Sequence, residues 1–168
     1  VNNTYVAIGL VNPKSPTNIG GVMRAAGCYQ ADAVFYSGER SQRAMRFQTD
    51  TKDVVQRIPL TAVDDLLATT TDDIDIVCVE LVEGATSLPE FKHPKRAFYL
   101  FGPEDGSIPQ EIIDRAYRVV YVPTIGCMNL AATVNVLLYD RCAKLGFSAH
   151  GDDLIRRSRD TNNRVKVR

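Results

Sequence analysis

Short apolar runs recur along the chain, separated by longer stretches in which apolar and polar positions mix. Tyr5 to Leu10 (YVAIGL), Ala33 to Gly38 (AVFYSG), Asp75 to Leu81 (DIVCVEL), Ala97 to Phe101 (AFYLF) and Arg118 to Pro123 (RVVYVP) are the clearest. They are apolar at nearly every position, the pattern of a strand buried on both faces rather than half-solvated. Arg57 to Leu60 (RIPL) is a briefer strand candidate. The segments between them carry helix signals. Asn18 stands as an N-cap before Ile19, Val22, Met23 and Ala26, which repeat at helical spacing. Thr61 is placed to cap a helix through AVDDLLAT, and Pro109 suits the first turn of a helix through PQEIIDRA. The longest helix runs from Asn129, again a cap, to a stop at Gly146, and carries no charge before Asp140.

Strands alternating with helices predict an α/β domain with a mainly parallel sheet covered by helices on each face. At 168 residues, 45% hydrophobic and 24% charged, the chain suffices for one such domain. We place it at 1–149, with a polar tail at 150–168. The tail carries Arg156, Arg157, Arg159, Arg164, Lys166 and Arg168 against Asp152, Asp153 and Asp160, and reads as mobile or as a short helix. The polar stretch from Glu39 to Val55 reads as loop with some helix. A helix as charge-poor as 129–146 must be covered on most sides, which points to the sheet and a partner subunit.

Overall charge is uninformative, with twenty basic and twenty acidic residues. Cys28, Cys78, Cys127 and Cys142 form no C-x-x-C pair, and His93 and His150 are the only histidines, so no metal site is expected. Reduced thiols, no apolar run near the ~20 residues of a membrane span and no signal-peptide pattern lead us to expect a cytoplasmic protein without a membrane partner.

The P-loop, the dinucleotide-binding G-x-G-x-x-G and the G-x-S-x-G nucleophile elbow of hydrolases are all missing. Three clusters remain, each at the carboxyl end of a predicted strand, where open α/β sheets bind ligands. The first is NPKSPTNIGGVMRAAG, with Gly20 and Gly21 near a helix start whose free amides favour an anion, and with Arg24 facing away from the apolar stripe. The second is LFGPEDGSIP; the third is VPTIGCMNLAATVNVLLYD.

In order and spacing, these clusters resemble the SPOUT superfamily, specifically the SpoU/TrmH-type RNA 2′-O-ribose methyltransferases. Asn18, Gly20 and Arg24 match the first family motif; Phe101, Gly102, Pro103 and Glu104 match the second; Val122, Pro123, Met128, Asn129 and Leu130 match the third. The resemblance implies a C-terminal trefoil knot, an exception to the rule against threading. It also implies S-adenosylmethionine as methyl donor, with S-adenosylhomocysteine as product and no metal. RNA (tRNA or rRNA) is the implied substrate, and a homodimer the implied assembly. Carried over residue by residue, it makes Leu81, Gly102, Val122, Cys127, Met128 and Leu130 the donor-contacting set. Arg24, Asn18, Glu104 and Asn129 become the catalytic set, with Arg24 acting as base or, more easily for a guanidinium, as stabiliser of the developing alkoxide. Two positions depart from the pattern: Cys127 replaces a serine, and Gly106 stands one place early. Two other readings stay open, a catalytically silent RNA-binding relative and an α/β enzyme using Asn18 to Arg24 as an anion site for a small phosphorylated substrate.

Overall fold

Successive side chains of the central strand β6 (Arg96–Phe101) go into different cores. Ala97, Tyr99 and Phe101 join one buried cluster, and Phe98 and Leu100 join the other. That is the two-residue period of a strand covered on both faces. The computed structural model describes residues 3–41 and 57–167. In chain order these form β1 (Tyr5–Val11), α1 (Pro16–Cys28), β2 (Ala33–Ser37), β3 (Leu60–Ala62), β4 (Asp75–Val79), β5 (Thr86–Ser87), β6, α2 (Gln110–Ile113), β7 (Arg118–Tyr121), α3 (Leu130–Leu145) and α4 (Asp152–Ser158). Most of the stretch expected to be loop with some helix, 42–56, lies outside the described residues.

Seven strands pair in the order β3-β2-β1-β6-β4-β7-β5, and each neighbouring pair is parallel. The expected α/β architecture is therefore present. Helices α1 and α3 cover one face, where Ile19, Val22 and Met23 meet Val134, Leu137 and Leu138 over Ile8, Leu10 and Tyr99. The second face is closed by Ile108, Ile112 and Ile113, from α2 and its approach, with Leu66 and Leu67.

Local details differ from expectation where a stronger signal competes. Ser15, not Asn18, is the N-cap of α1, because Pro16 fits the first helical position and leaves Asn18 inside the first turn. Thr61 pairs with Phe35 in β3 instead of capping a helix, and only a 3-10 turn at Leu67–Thr69 survives from the helix expected there. The helix after Pro109 is a single turn. The tail contains α4, which is exposed throughout.

Two contacts set the long helix α3 in place. At its start, a Cβ added to Gly21 of α1 would stand 2.8 Å from the Cβ of Ala131, so the helices approach as closely as they do only because residue 21 is glycine. Towards its end, Asp140 and Arg141 grip the 88–96 segment. His93 shares hydrogen bonds with Asp140 (2.8 Å) and Tyr99 (2.7 Å), Arg141 donates to the carbonyl of Lys95 (2.8 Å) and to the Tyr99 hydroxyl (3.0 Å), and Lys144 pairs with Asp140 (2.7 Å). Gly146, at φ 101°, ends the helix as expected.

Candidate active site

A cavity of about 380 Å³ opens at the carboxyl ends of β4, β6 and β7, within the size range of small-molecule sites. Val79, Glu80 and Leu81 wall it from the end of β4, and Phe101 to Glu104 with Gly106 from the end of β6. The segment from Tyr121 to Thr133 contributes Val122, Thr124, Cys127, Met128, Asn129 and Leu130, and α1 contributes Asn18. All six expected donor-contacting residues line it, as do Asn18, Glu104 and Asn129. Arg24 does not. It is exposed on α1 and has no hydrogen-bond or salt-bridge partner among the described residues.

The polar wall is one hydrogen-bonded line. Glu104 accepts from the backbone amides of Lys14 (2.8 Å) and Ser15 (3.0 Å) and from the side-chain amide of Asn18 (2.9 Å). Asn18 in turn accepts from Asn129 (2.9 Å), whose own oxygen accepts from the amides of Ala131 and Ala132 at the start of α3. Burial pushes the Glu104 carboxyl up, yet the Asn18, Lys14 and Ser15 donors outweigh it and hold the group below the ordinary glutamate value. Glu104 thus fills the amide cradle at the head of α1. An anion is supplied by the protein itself to the amides of Lys14 and Ser15, just ahead of α1.

Val79, Tyr121, Thr124 and Thr133 line the cavity without having been singled out from the sequence, and so does one charged residue, Glu80. The expected strand ran on to Leu81, which hid Glu80 as an interior position, but β4 stops at Val79. Glu80 then turns back, accepting from the amides of Leu81 (3.0 Å) and Ile108 (3.0 Å). A Cβ on Gly102 would stand 3.0 Å from this carboxylate and 3.1 Å from the Ile108 nitrogen, so any larger residue there would press on both. Outside the cavity, Asp105 pairs with Arg40 (2.8 Å), tying the same loop to the end of β2. Cys127 is an exposed free thiol at the mouth, and among the described residues no group of His, Cys, Asp and Glu is arranged to hold a metal.

A parallel α/β sheet whose ligand cleft lies at the carboxyl ends of its central strands is the class defined by this fold and site. Residues 5–139 match the SpoU rRNA Methylase family, and the chain belongs to it. No curated protein matches the chain by sequence. Among solved structures, the chain is similar to the A. aeolicus TrmH/SpoU tRNA modifying enzyme (TM-score 0.71, 17% identity, covering 83% of this chain and 74% of that one). It is also similar to an rRNA methyltransferase from Sinorhizobium meliloti (0.70, 20%, 84% and 56%) and to AviRb from Streptomyces viridochromogenes, solved with AdoMet (0.69, 19%, 86% and 62%). The chain therefore spans little more than half the length of the S. meliloti protein. At these identities the likeness is one of fold.

Proposed function

We propose that the chain transfers a methyl group from S-adenosylmethionine to a ribose 2′-hydroxyl of tRNA or rRNA, acting as a homodimer with the knotted C-terminal site of its family. The observation that carries this reading is the line Glu104–Asn18–Asn129, which joins all three motifs along the wall of one cavity. A solved structure similar to the chain (TM-score 0.70, 21% identity) concerns 2-OH methylation of C/U34 on tRNA, which favours ribose over base.

The cavity suits the donor. Val79, Leu81, Val122, Met128 and Leu130 offer an apolar bed for an adenine ring, and Gly102 leaves the backbone approachable. When bound, S-adenosylmethionine supplies a methyl group whose bond to sulfur breaks, with its electrons passing to sulfur, as the bond to the ribose oxygen forms. The protein must align that oxygen and stabilise it as its proton leaves to solvent or a nearby base. Asn18 and Asn129 sit at the mouth to orient the ribose. Arg24 is fitted to hold the adjoining phosphate and the developing alkoxide.

Arg24 lies outside its own cavity, and α3 exposes Val136 and Tyr139 beside Phe147, whose ring is 5.7 Å from that of Tyr139. An uncovered apolar face on the helix whose first turn lines the cavity, with Arg24 outside that cavity, supports a second copy of the chain completing the site. Strand β7 lies between the earlier strands β4 and β5, an insertion that supports the threaded knot. The test is incubation of the purified protein with cellular RNA and S-adenosylmethionine, followed by mass spectrometry of the nucleosides. New 2′-O-methyl nucleosides are expected; methylation confined to bases, or none, would overturn the reading.

A further inference from the structure

The cavity carries charges of one sign on its wall. Its described lining holds two carboxylates, Glu80 and Glu104, and no Lys, Arg or His. Neither carboxylate has a cationic partner within salt-bridge distance among the described residues. Glu104 is turned to the head of α1, where three donors engage it. Glu80 differs. Each of its oxygens accepts one backbone amide, at 3.0 Å, and a carboxylate oxygen has room for a second contact. The two amides pin the group between the end of β4 and the approach to α2, so its charge is fixed in place before any ligand arrives.

We propose that Glu80 makes the cavity selective for charge, favouring the cationic methyl donor over its neutral demethylated product. This rests on the donor reading above. S-adenosylmethionine and S-adenosylhomocysteine differ by one methyl group and one positive charge, and are otherwise superimposable. A fixed carboxylate at the cavity wall acts on that charge through a medium less screening than water. The neutral sulfur of the product gains nothing from it, so the preference favours exchange of product for fresh donor after each transfer.

Calorimetric titration of wild type, Glu80→Gln and Glu80→Asp with each of the two ligands tests this. Wild type is expected to prefer S-adenosylmethionine. Glu80→Gln should cut that preference about tenfold, the size of one unit charge acting at partial burial. Glu80→Asp should keep most of it. The ratio of the two affinities isolates the charge, because any disturbance of the Ile108 loop weakens both ligands alike. An equal loss for both ligands in Glu80→Gln would reduce Glu80 to a support for the loop and overturn the proposal, as would a wild type without preference. Failure of wild type to bind either ligand would instead overturn the donor reading on which the proposal rests.

Discussion

Asn129 donates its side-chain amide to the oxygen of Asn18 at 2.9 Å, across 111 residues of chain. The direction of that bond is forced from both ends. The Asn129 oxygen must face the amides of Ala131 and Ala132, leaving its nitrogen for Asn18, and the Asn18 nitrogen must then face the Glu104 carboxylate, which can only accept. Helix start, two asparagines and a glutamate form one polarised line.

Asn18→Asp reverses this line at its centre, setting a carboxylate against Glu104 and leaving that group without its side-chain donor. We expect a loss of about 1–3 kcal/mol in urea unfolding, exceeding that of Asn18→Ala. A loss no larger than that of the alanine variant would show that the line has no fixed direction.

Glu104 makes a matching prediction for pH. Its folded pKa lies below the unfolded one, so its contribution is complete above the ordinary glutamate range and is lost as pH falls through the lowered value. Glu104→Gln should flatten the fall in urea midpoint on the acid side of pH 5 or so. Identical acid profiles for the variant and wild type would contradict this.

At the helix crossing, Gly21→Ala places a methyl 2.8 Å from that of Ala131. The helices must part, at about 1–3 kcal/mol. Ala131→Gly in the same chain should recover part of the loss, giving a coupling term in a double-mutant cycle of thermal unfolding. Strict additivity would place the strain elsewhere.

His93 should titrate low. Burial lowers its pKa more than Asp140 raises it. The carboxylate of Asp140 can only accept, so the neutral ring donates from Nε2 and takes the Tyr99 hydroxyl proton at Nδ1. Because the folded pKa is depressed, stability is full above the ordinary histidine pKa and declines as pH drops through the lowered one. An NMR titration of the imidazole should show a midpoint below about 6.5; a midpoint above it would mean that the Asp140 charge dominates.

Arg24→Ala should lower the methylation rate by about 10²–10³ while leaving calorimetric donor affinity unchanged, since the side chain stands outside the cavity. Wild-type turnover in this variant would end its proposed role.

Residues chosen for their chemistry were legible where that chemistry depends on type and local order. Asn18, Glu104 and Asn129 stood at strand ends or helix starts, and all three line the cavity. What stayed hidden depends on partners far along the chain. Thr61 looked like a cap, but pairing with Phe35 makes it strand. The two-residue β5 exists only because Val120 and Tyr121 lie beside it. Glu80 gave no signal of its own, since it read as one more position inside the run from Asp75 to Leu81 until the strand stopped at Val79 and the Ile108 amide was placed against it.

The position of β7 between β4 and β5 has a consequence for how the molecule forms. Two strands separated by only a short loop must leave a slot between them, and its occupant, Arg118–Tyr121, arrives some thirty residues after β5. Until then β4 keeps an unpaired edge in the middle of a growing sheet, open to any passing strand. Non-local pairing of this kind slows folding. The late arrival of four residues therefore leaves an interval in which the chain is vulnerable to aggregation.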